Sequence, residues 1–438
     1  MHLVITVFLF LFSISIFAKI PFDSTKNDRF SIHAQATVIN QFKPKFKANY
    51  SGENSLSASK ENKISITTTI FAGVRLWKGA SIFINPELAG GSGLSGALGI
   101  ADATNGETTK VGSPAPQIYL ARFYYRQLFA LDTQNTYQPR AENQLGEHLP
   151  NKYISFTIGK IAIGYYSDDN TYSHDPRTQF MSWSLMDNGA WDYAANVRGY
   201  TPSIVIEYIS PKHEFRYGLS LVPLVANGSK MNWDISKASA HVAEYTYHHQ
   251  IKNKPGAIRI LGYINTANMG NYVKSYTLNP IHPTVDSTRK YGRNKFGFGI
   301  SFEQSILDDL GFFARVGWND GRNETWMFTE IDHTFSMGLS MTGQRWKRPN
   351  DVIGLAYVMS GISKAHQTYL KDGGLGFMLG DGNLNYKPEH LLETYYSAAL
   401  YKQYIFLSGA YQLVINPGYN KDRQGPVNVL SVRLHFRI

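Results

Sequence analysis

The chain has 438 residues, no cysteine, 28 tyrosines, 38 glycines and a formal net charge of +10. Without cysteine there are no disulfides, no thiolate chemistry, no Cys-ligated zinc and no lipid anchor on an N-terminal Cys. Abundant aromatics with moderate charge argue against disorder, and beyond the N-terminus no apolar run is long enough for a transmembrane helix. Lys and Arg are spread along the chain with no basic block and no nucleic-acid motif, so no nucleic-acid partner is expected.

In chain order, Leu3 to Phe17 form an apolar run ending at Ala18. It reads as a secretory signal peptide over residues 1–18, with 19–438 as a single mature domain. Strict alternation follows. Ile64, Ile66, Ile70, Val74 and Leu76 oppose Ser65, Thr67, Thr69, Gly73 and Arg75. Ile154, Phe156 and Ile158 alternate with Ser155, Thr157 and Gly159, and Phe215, Tyr217 and Leu219 with Arg216, Gly218 and Ser220. The same pattern recurs at Phe296–Phe302, Phe312–Trp318, Phe335–Met341 and Ile405–Leu413. The last segment places Leu430, Val432, Leu434, Phe436 and Ile438 on one face, and Ser431, Arg433, His435 and Arg437 on the other. A side-chain period of two with one greasy face is a strand signal.

About a dozen or more such segments of roughly ten residues suit tilted strands that cross a bilayer. The second face mixes Gly, Ser and Thr with charged residues, which suits a water-filled lumen better than a soluble sandwich core. The predicted fold is therefore all-β: a transmembrane antiparallel β-barrel of sixteen strands. Its interfacial girdles would include Trp77, Tyr124-Tyr125, Tyr395-Tyr396 and Tyr401. Arg433, His435 and Arg437 read as lumen-lining charges. Two long polar loops interrupt the strands, Asp102 to Pro116 and Ser167 to Tyr200, and a loop of the second length is expected to fold into the lumen and narrow it.

Enzyme and metal signatures are weak. His174-Asp175 has serines nearby but no Gly-x-Ser-x-Gly elbow accompanies it. His248-His249 lacks a second ligand pair, and Asp168-Asp169-Asn170 does not follow the EF-hand pattern. No catalytic residue, metal or cofactor is expected.

The second loop carries Tyr172-Ser173-His174-Asp175-Pro176-Arg177-Thr178-Gln179-Phe180, then Asp187-Asn188-Gly189-Ala190-Trp191-Asp192-Tyr193 and Arg198-Gly199-Tyr200. This stretch resembles the signature of the OprB-type carbohydrate-selective porins of Gram-negative outer membranes. Further matching segments run through the chain, including Asn85-Pro86-Glu87, Ala121-Arg122-Phe123, Phe328-Thr329-Glu330-Ile331-Asp332, Gly380-Asp381-Gly382 and Asn416-Pro417-Gly418-Tyr419-Asn420. The resemblance implies a monomeric sixteen-stranded barrel in the outer membrane, embedded in lipid and lipopolysaccharide and inserted by the barrel-assembly machinery. Its expected solutes are monosaccharides, glucose being typical. The chain departs from the usual barrel ending, Phe or Trp, by closing on Ile438.

A neutral sugar needs donors and acceptors for its hydroxyls and an aromatic face for its C–H side. Arg and Glu side by side supply both with little net field. The candidate solute-binding residues are Glu87, Arg122, Arg177, Trp191, Glu330 and Glu393. Arg122 and Arg177 are expected to donate, Glu87 and Glu330 to accept, and Trp191 to stack. Other readings stay open: Arg177 holding its own loop by an ion pair, Trp191 packing that loop on the wall, and Glu393 as a solvated lumen charge. At the level of function the alternatives are a general or anion-preferring porin, suggested by the +10 charge, and a barrel hydrolase.

Overall fold

The computed structural model describes residues 28–108 and 115–438. The expected signal peptide lies outside the described residues. Eighteen strands follow in chain order: β1 (Phe30–Lys43), β2 (Glu61–Trp77), β3 (Ala80–Gly91), β4 (Gln117–Ala130), β5 (Asn135–Gln138), β6 (Glu147–Pro150), β7 (Tyr153–Ile161), β8 (Thr201–Ile209), β9 (His213–Ser220), β10 (Ser239–Ile251), β11 (Lys254–Met269), β12 (Lys290–Leu307), β13 (Leu310–Asn319), β14 (His333–Gly343), β15 (Arg348–Gly361), β16 (Glu389–Tyr401), β17 (Ile405–Ile415) and β18 (Val427–Arg437). All but β5 and β6 form one closed sixteen-stranded antiparallel barrel, in which β18 pairs back onto β1 from Gln35↔Arg437 to Phe42↔Leu430. Closure leaves no unpaired sheet edge, the condition a lipid-embedded sheet must meet.

The dyad pattern becomes an outside and an inside. On β18, Leu430 and Val432 are more than half exposed on the outer wall, while Ser431, Arg433 and His435 are buried within. Outward Ile64, Phe298, Val316 and Met337 continue the apolar band. The girdle expectation needs one correction. Trp77, Tyr396 and Tyr401 face out, but Tyr124 and Tyr395 are buried inside the barrel, because adjacent strand residues point to opposite faces.

The two ends of the barrel differ. At one end, which also carries Phe30 and Arg437, six connections are two to four residues long, such as 78–79, 252–253 and 308–309. The seventh, residues 131–152 between β4 and β7, carries the small β5–β6 sheet. At the other end the loops are long, and they fill the barrel. Trp183, Tyr272, Phe328, Tyr369, Met378, Leu379 and Tyr419 form an apolar core built from loops inside that end. Among the described residues no helix is long and apolar enough to cross a membrane, and no cluster of His, Asp and Glu suits a metal ion.

Candidate functional site: a constriction inside the barrel

The chain between β7 and β8, residues 162–200, runs inside the barrel and is held there by wall side chains. Acidic residues accept its backbone N–H groups. Glu393 Oε1 accepts from Met181 N at 2.6 Å and its Oε2 from Ser182 N at 3.0 Å. Glu303 accepts from Thr171 N at 2.8 Å, and Glu244 from Asp168 N at 2.7 Å. Basic residues donate to its carbonyls. Arg315 donates to Leu185 O at 3.0 Å and Ser173 O at 2.5 Å, and Arg433 to Pro176 O at 2.8 Å and Gln179 O at 2.7 Å. Charge-assisted bonds of this kind are strong and directional, so the loop's path is fixed from both sides. Arg433 therefore faces inward but lies under the loop rather than in open water, while the inward His435 is bonded to Thr37 at 2.8 Å. Asp168 is likewise committed to the wall: Arg315 Nε lies 3.0 Å from it, and it accepts from Asn188 N at 2.6 Å.

Three of the six candidate residues meet at one cavity of about 180 Å³, lined by Glu87, Arg122 and Arg177 together with Tyr119, Tyr165 and Tyr200. Glu87 is brought inward by β3 parity with Phe83 and Asn85. Its carboxylate accepts from Thr69 Oγ1 at 2.6 Å, from Tyr200 Oη at 3.1 Å and from the Tyr119 hydroxyl. Arg177 spans Glu87 at 3.2 Å and Glu107 at 2.8 Å. Burial works against its charge, but Glu107 and Glu87 hold its guanidinium well above the ordinary value. Burial also raises the Glu107 carboxyl, with Arg177 opposing. Arg177 is thus a clamp between strand and loops. It also borders a second space of about 380 Å³ toward the short-turn end, where Gln403, His435 and Arg437 line the wall. It stands at the boundary between the two compartments.

Arg122 is different. No carboxylate lies within ion-pair distance of it among the described residues; its guanidinium rests 3.7 Å from the Tyr165 ring centre and 5.8 Å from that of Tyr200. The β3–β4 register shifts between Asn85 and Pro86, so that Asn85 pairs with Arg122 and Pro86 with Leu120. The extra residue, Ala121, resets the parity, and both Tyr119 and Arg122 then face the lumen although they are three apart. Arg198 also lines the cavity, 4.1 Å from the Tyr119 ring centre. Across the cavity Asp187 lies 3.8 Å from His174 Nδ1, and burial pushes its carboxyl up to about 6.

The other three candidates lie elsewhere. Trp191 is packed with Phe83, Leu145, Val205 and Tyr263 against the inner wall and does not line the cavity. Glu330 accepts from Met378 N and Leu379 N, both at 2.8 Å, deep among the loops of the long-loop end. Glu393 is the loop anchor described above. Glu393 has the inward parity expected on β16, but it and the loop residue Glu330 meet backbone amides, and Trp191 meets apolar side chains. Glu107, Tyr119, Tyr165 and Tyr200 join the site without having been singled out. Tyr119 was hidden by the bulge, and the others sit on loops, where no periodicity reports direction.

The family model for carbohydrate-selective porins of the OprB family matches residues 53–438. No curated protein matches the chain in sequence. Among solved structures, a high-pH structure of OprB from Pseudomonas putida is similar with a TM-score of 0.69 at 14% identity, covering 94% of each chain. The outer membrane channel DcaP of Acinetobacter baumannii has a TM-score of 0.51 at 10% identity, covering 95% of this chain and 99% of that one. With a matching family model over most of its length, on a closed sixteen-stranded barrel narrowed by an inner loop, the chain belongs to the OprB family of carbohydrate-selective porins, channels of the outer membrane.

Proposed function

We propose that the channel passes monosaccharides such as glucose by passive diffusion, with the Arg122 cavity as the place where the solute is discriminated. The observation that carries this reading is Arg122 itself. It is a guanidinium laid on aromatic rings and left out of the Glu87–Arg177–Glu107 ion-pair chain, so its donors can serve a hydroxyl in exchange for water. The Tyr165 and Tyr200 rings offer apolar faces beside it. Contacts of this number bind weakly, as conduction requires.

The anion-preferring alternative finds less support here. The cavity is lined by three arginines (Arg122, Arg177, Arg198) and four carboxylates (Glu87, Glu107, Asp175, Asp187), so the excess positive charge of the whole chain is not concentrated at the constriction. Liposome swelling with glucose and a non-sugar of equal size tests the reading. Faster entry of glucose, reduced toward the non-sugar rate by Arg122→Ala, is the expected result. Equal, size-limited entry of both solutes in the unaltered protein would sink it.

A further inference from the structure

Arg177 borders two spaces, and the one on its short-turn side has a chemistry of its own. Its wall on β13 to β16 is set by one row of the strand register. Gly311 pairs with Ser340, Ser340 with Gly354, and Gly354 with Tyr395. Both glycines make room for an aromatic ring. A Cβ at Gly311 would meet the ring of Tyr172 from the inner loop, and one at Gly354 would meet the ring of Tyr395. Ser340 therefore stands between two tyrosines, whose glycine seats are two strands, or about 10 Å, apart. The next inward row toward the short turns carries Thr342, Val352 and Ser397, again in register. Tyr172, Ser340, Thr342, Tyr395 and Ser397 all line the compartment.

Two of these hydroxyls lack a partner. Tyr395 is 2% exposed, yet its hydroxyl completes no hydrogen bond of normal geometry among the described residues, and neither does that of Thr342. Leaving a buried hydroxyl unmatched is costly, so groups placed in this way call for water or a ligand. The charges bordering the same space are engaged elsewhere. Asp308 pairs with Lys254, Asp309 with Arg345 at 2.6 Å, and Arg177 with Glu87 and Glu107. Arg437 rests on the Phe406 ring, 5.1 Å from its centre, and donates to Gln403 O at 2.8 Å. Along β8 to β12 the inward charges satisfy one another, Arg216 with Glu207 and Glu214, and Arg259 with Glu303. The hydroxyl rows of β14 and β16 are different: each group both donates and accepts, which matches the hydroxyls of a neutral solute and offers an ion no countercharge. The half-buried Tyr172 ring beside them supplies an apolar face.

We infer that the compartment on the short-turn side of Arg177 holds a second solute site, for a neutral polyhydroxyl solute, in which Ser340, Thr342, Tyr395 and Ser397 exchange hydrogen bonds with the solute and Tyr172 packs on its C–H side. The channel then has two stations in series, the Arg122 cavity and this one, with the Arg177 clamp between them. The inference rests on the reading that the channel passes neutral sugars, and it adds a station which that reading does not require.

The test is glucose-induced current noise in planar bilayers, read for the unaltered channel beside Tyr395→Phe, Thr342→Val and Arg122→Ala. Two sites in series are expected to give two relaxation components in the unaltered channel. Tyr395→Phe and Thr342→Val each remove one uncharged hydrogen-bonding group, and each is expected to weaken the apparent glucose affinity of the same component roughly two- to ten-fold. Arg122→Ala is expected to weaken the other component. The two hydroxyl variants lie on different strands, so either one carries the test if the other disturbs assembly. A single component, weakened by Arg122→Ala and unmoved by both hydroxyl variants, overturns the second site and leaves the sugar reading standing. Two components that both hydroxyl variants leave unmoved overturn it equally. Absence of any glucose-dependent noise, with equal entry of glucose and the non-sugar in liposome swelling, removes both readings.

Discussion

Two arginines at one cavity have opposite tasks because of what lies beside them. Arg177 is held by Glu87 and Glu107 and fixes the loop to β3, whereas Arg122 lies on Tyr165 and keeps its donors for the lumen. Trp191, which looked suited to stacking on a sugar, serves packing, since its indole is enclosed by the wall. A loop carboxyl gives a pH-dependent signature at this scale. Burial raises Asp187 to about 6, so the folded loop favours its neutral form. Its contribution to stability is full below the ordinary carboxylate range and is lost as pH rises through about 6. Over the same interval the cavity gains a negative charge. The groups acting on Asp187 are His174, Asp168, Arg315 and Asp169. Reversal potentials measured from pH 5 to pH 8 should therefore shift toward cations around pH 6, and Asp187→Asn should abolish that step.

At the scale of elements, the inner loop and the strands are fitted to each other. The small residues on the inward faces read as the lining of a watery lumen, but several are sockets. Gly299 and Gly317 leave room for the Asn188 side chain, Gly311 for Tyr172, and Gly354 for Phe180. Charged wall residues complete the fit by taking the loop's backbone groups, which a buried loop must satisfy somewhere. Glu393 is the clearest case, with two loop N–H groups and the Gln412 amide, 2.9 Å away, on one carboxylate. Glu393→Ala leaves both N–H groups without their acceptor, at about 1–3 kcal/mol each. The expected outcome is a lower unfolding temperature with larger, noisier single-channel currents as the loop loosens; Glu393→Gln, which keeps an acceptor oxygen, should fall between. Unaltered currents in Glu393→Ala would show that this anchor does not set the width of the channel.

At the scale of the whole molecule, the barrel solves two solvation problems with one alternation: hydrocarbon outside, and a polar, largely filled interior. The outer requirement is strict. Val316 lies on the outer face of β13, and an arginine there should cost about 2–4 kcal/mol if it falls near the bilayer midplane. Denaturant titration in lipid vesicles should show that loss for Val316→Arg, with a smaller one near the interface. The all-β class, the strand alternation and the inward parity of Glu87 and Glu393 were legible in the sequence, because side-chain direction in a strand follows from position alone. The family segments around Arg177 and Arg122 likewise marked two residues that the fold brings to the same cavity. Direction along the loops was not legible, since nothing periodic constrains it; hence Tyr165 and Glu107 went unmarked, and Tyr200 was marked only as part of a family segment and not as a site residue. The bulge at Ala121 hid Tyr119 by shifting parity in mid-strand. Whether an inward charge meets water, a sugar or a backbone amide was likewise decided only by the tertiary structure. Arg433 and Arg122 both have inward parity, and what separates them is that one lies beneath a loop carbonyl and the other beside an open ring. The sequence by itself determined which face of each strand turns inward; only the packing of loop against wall determined which of those inward groups remain available to a solute.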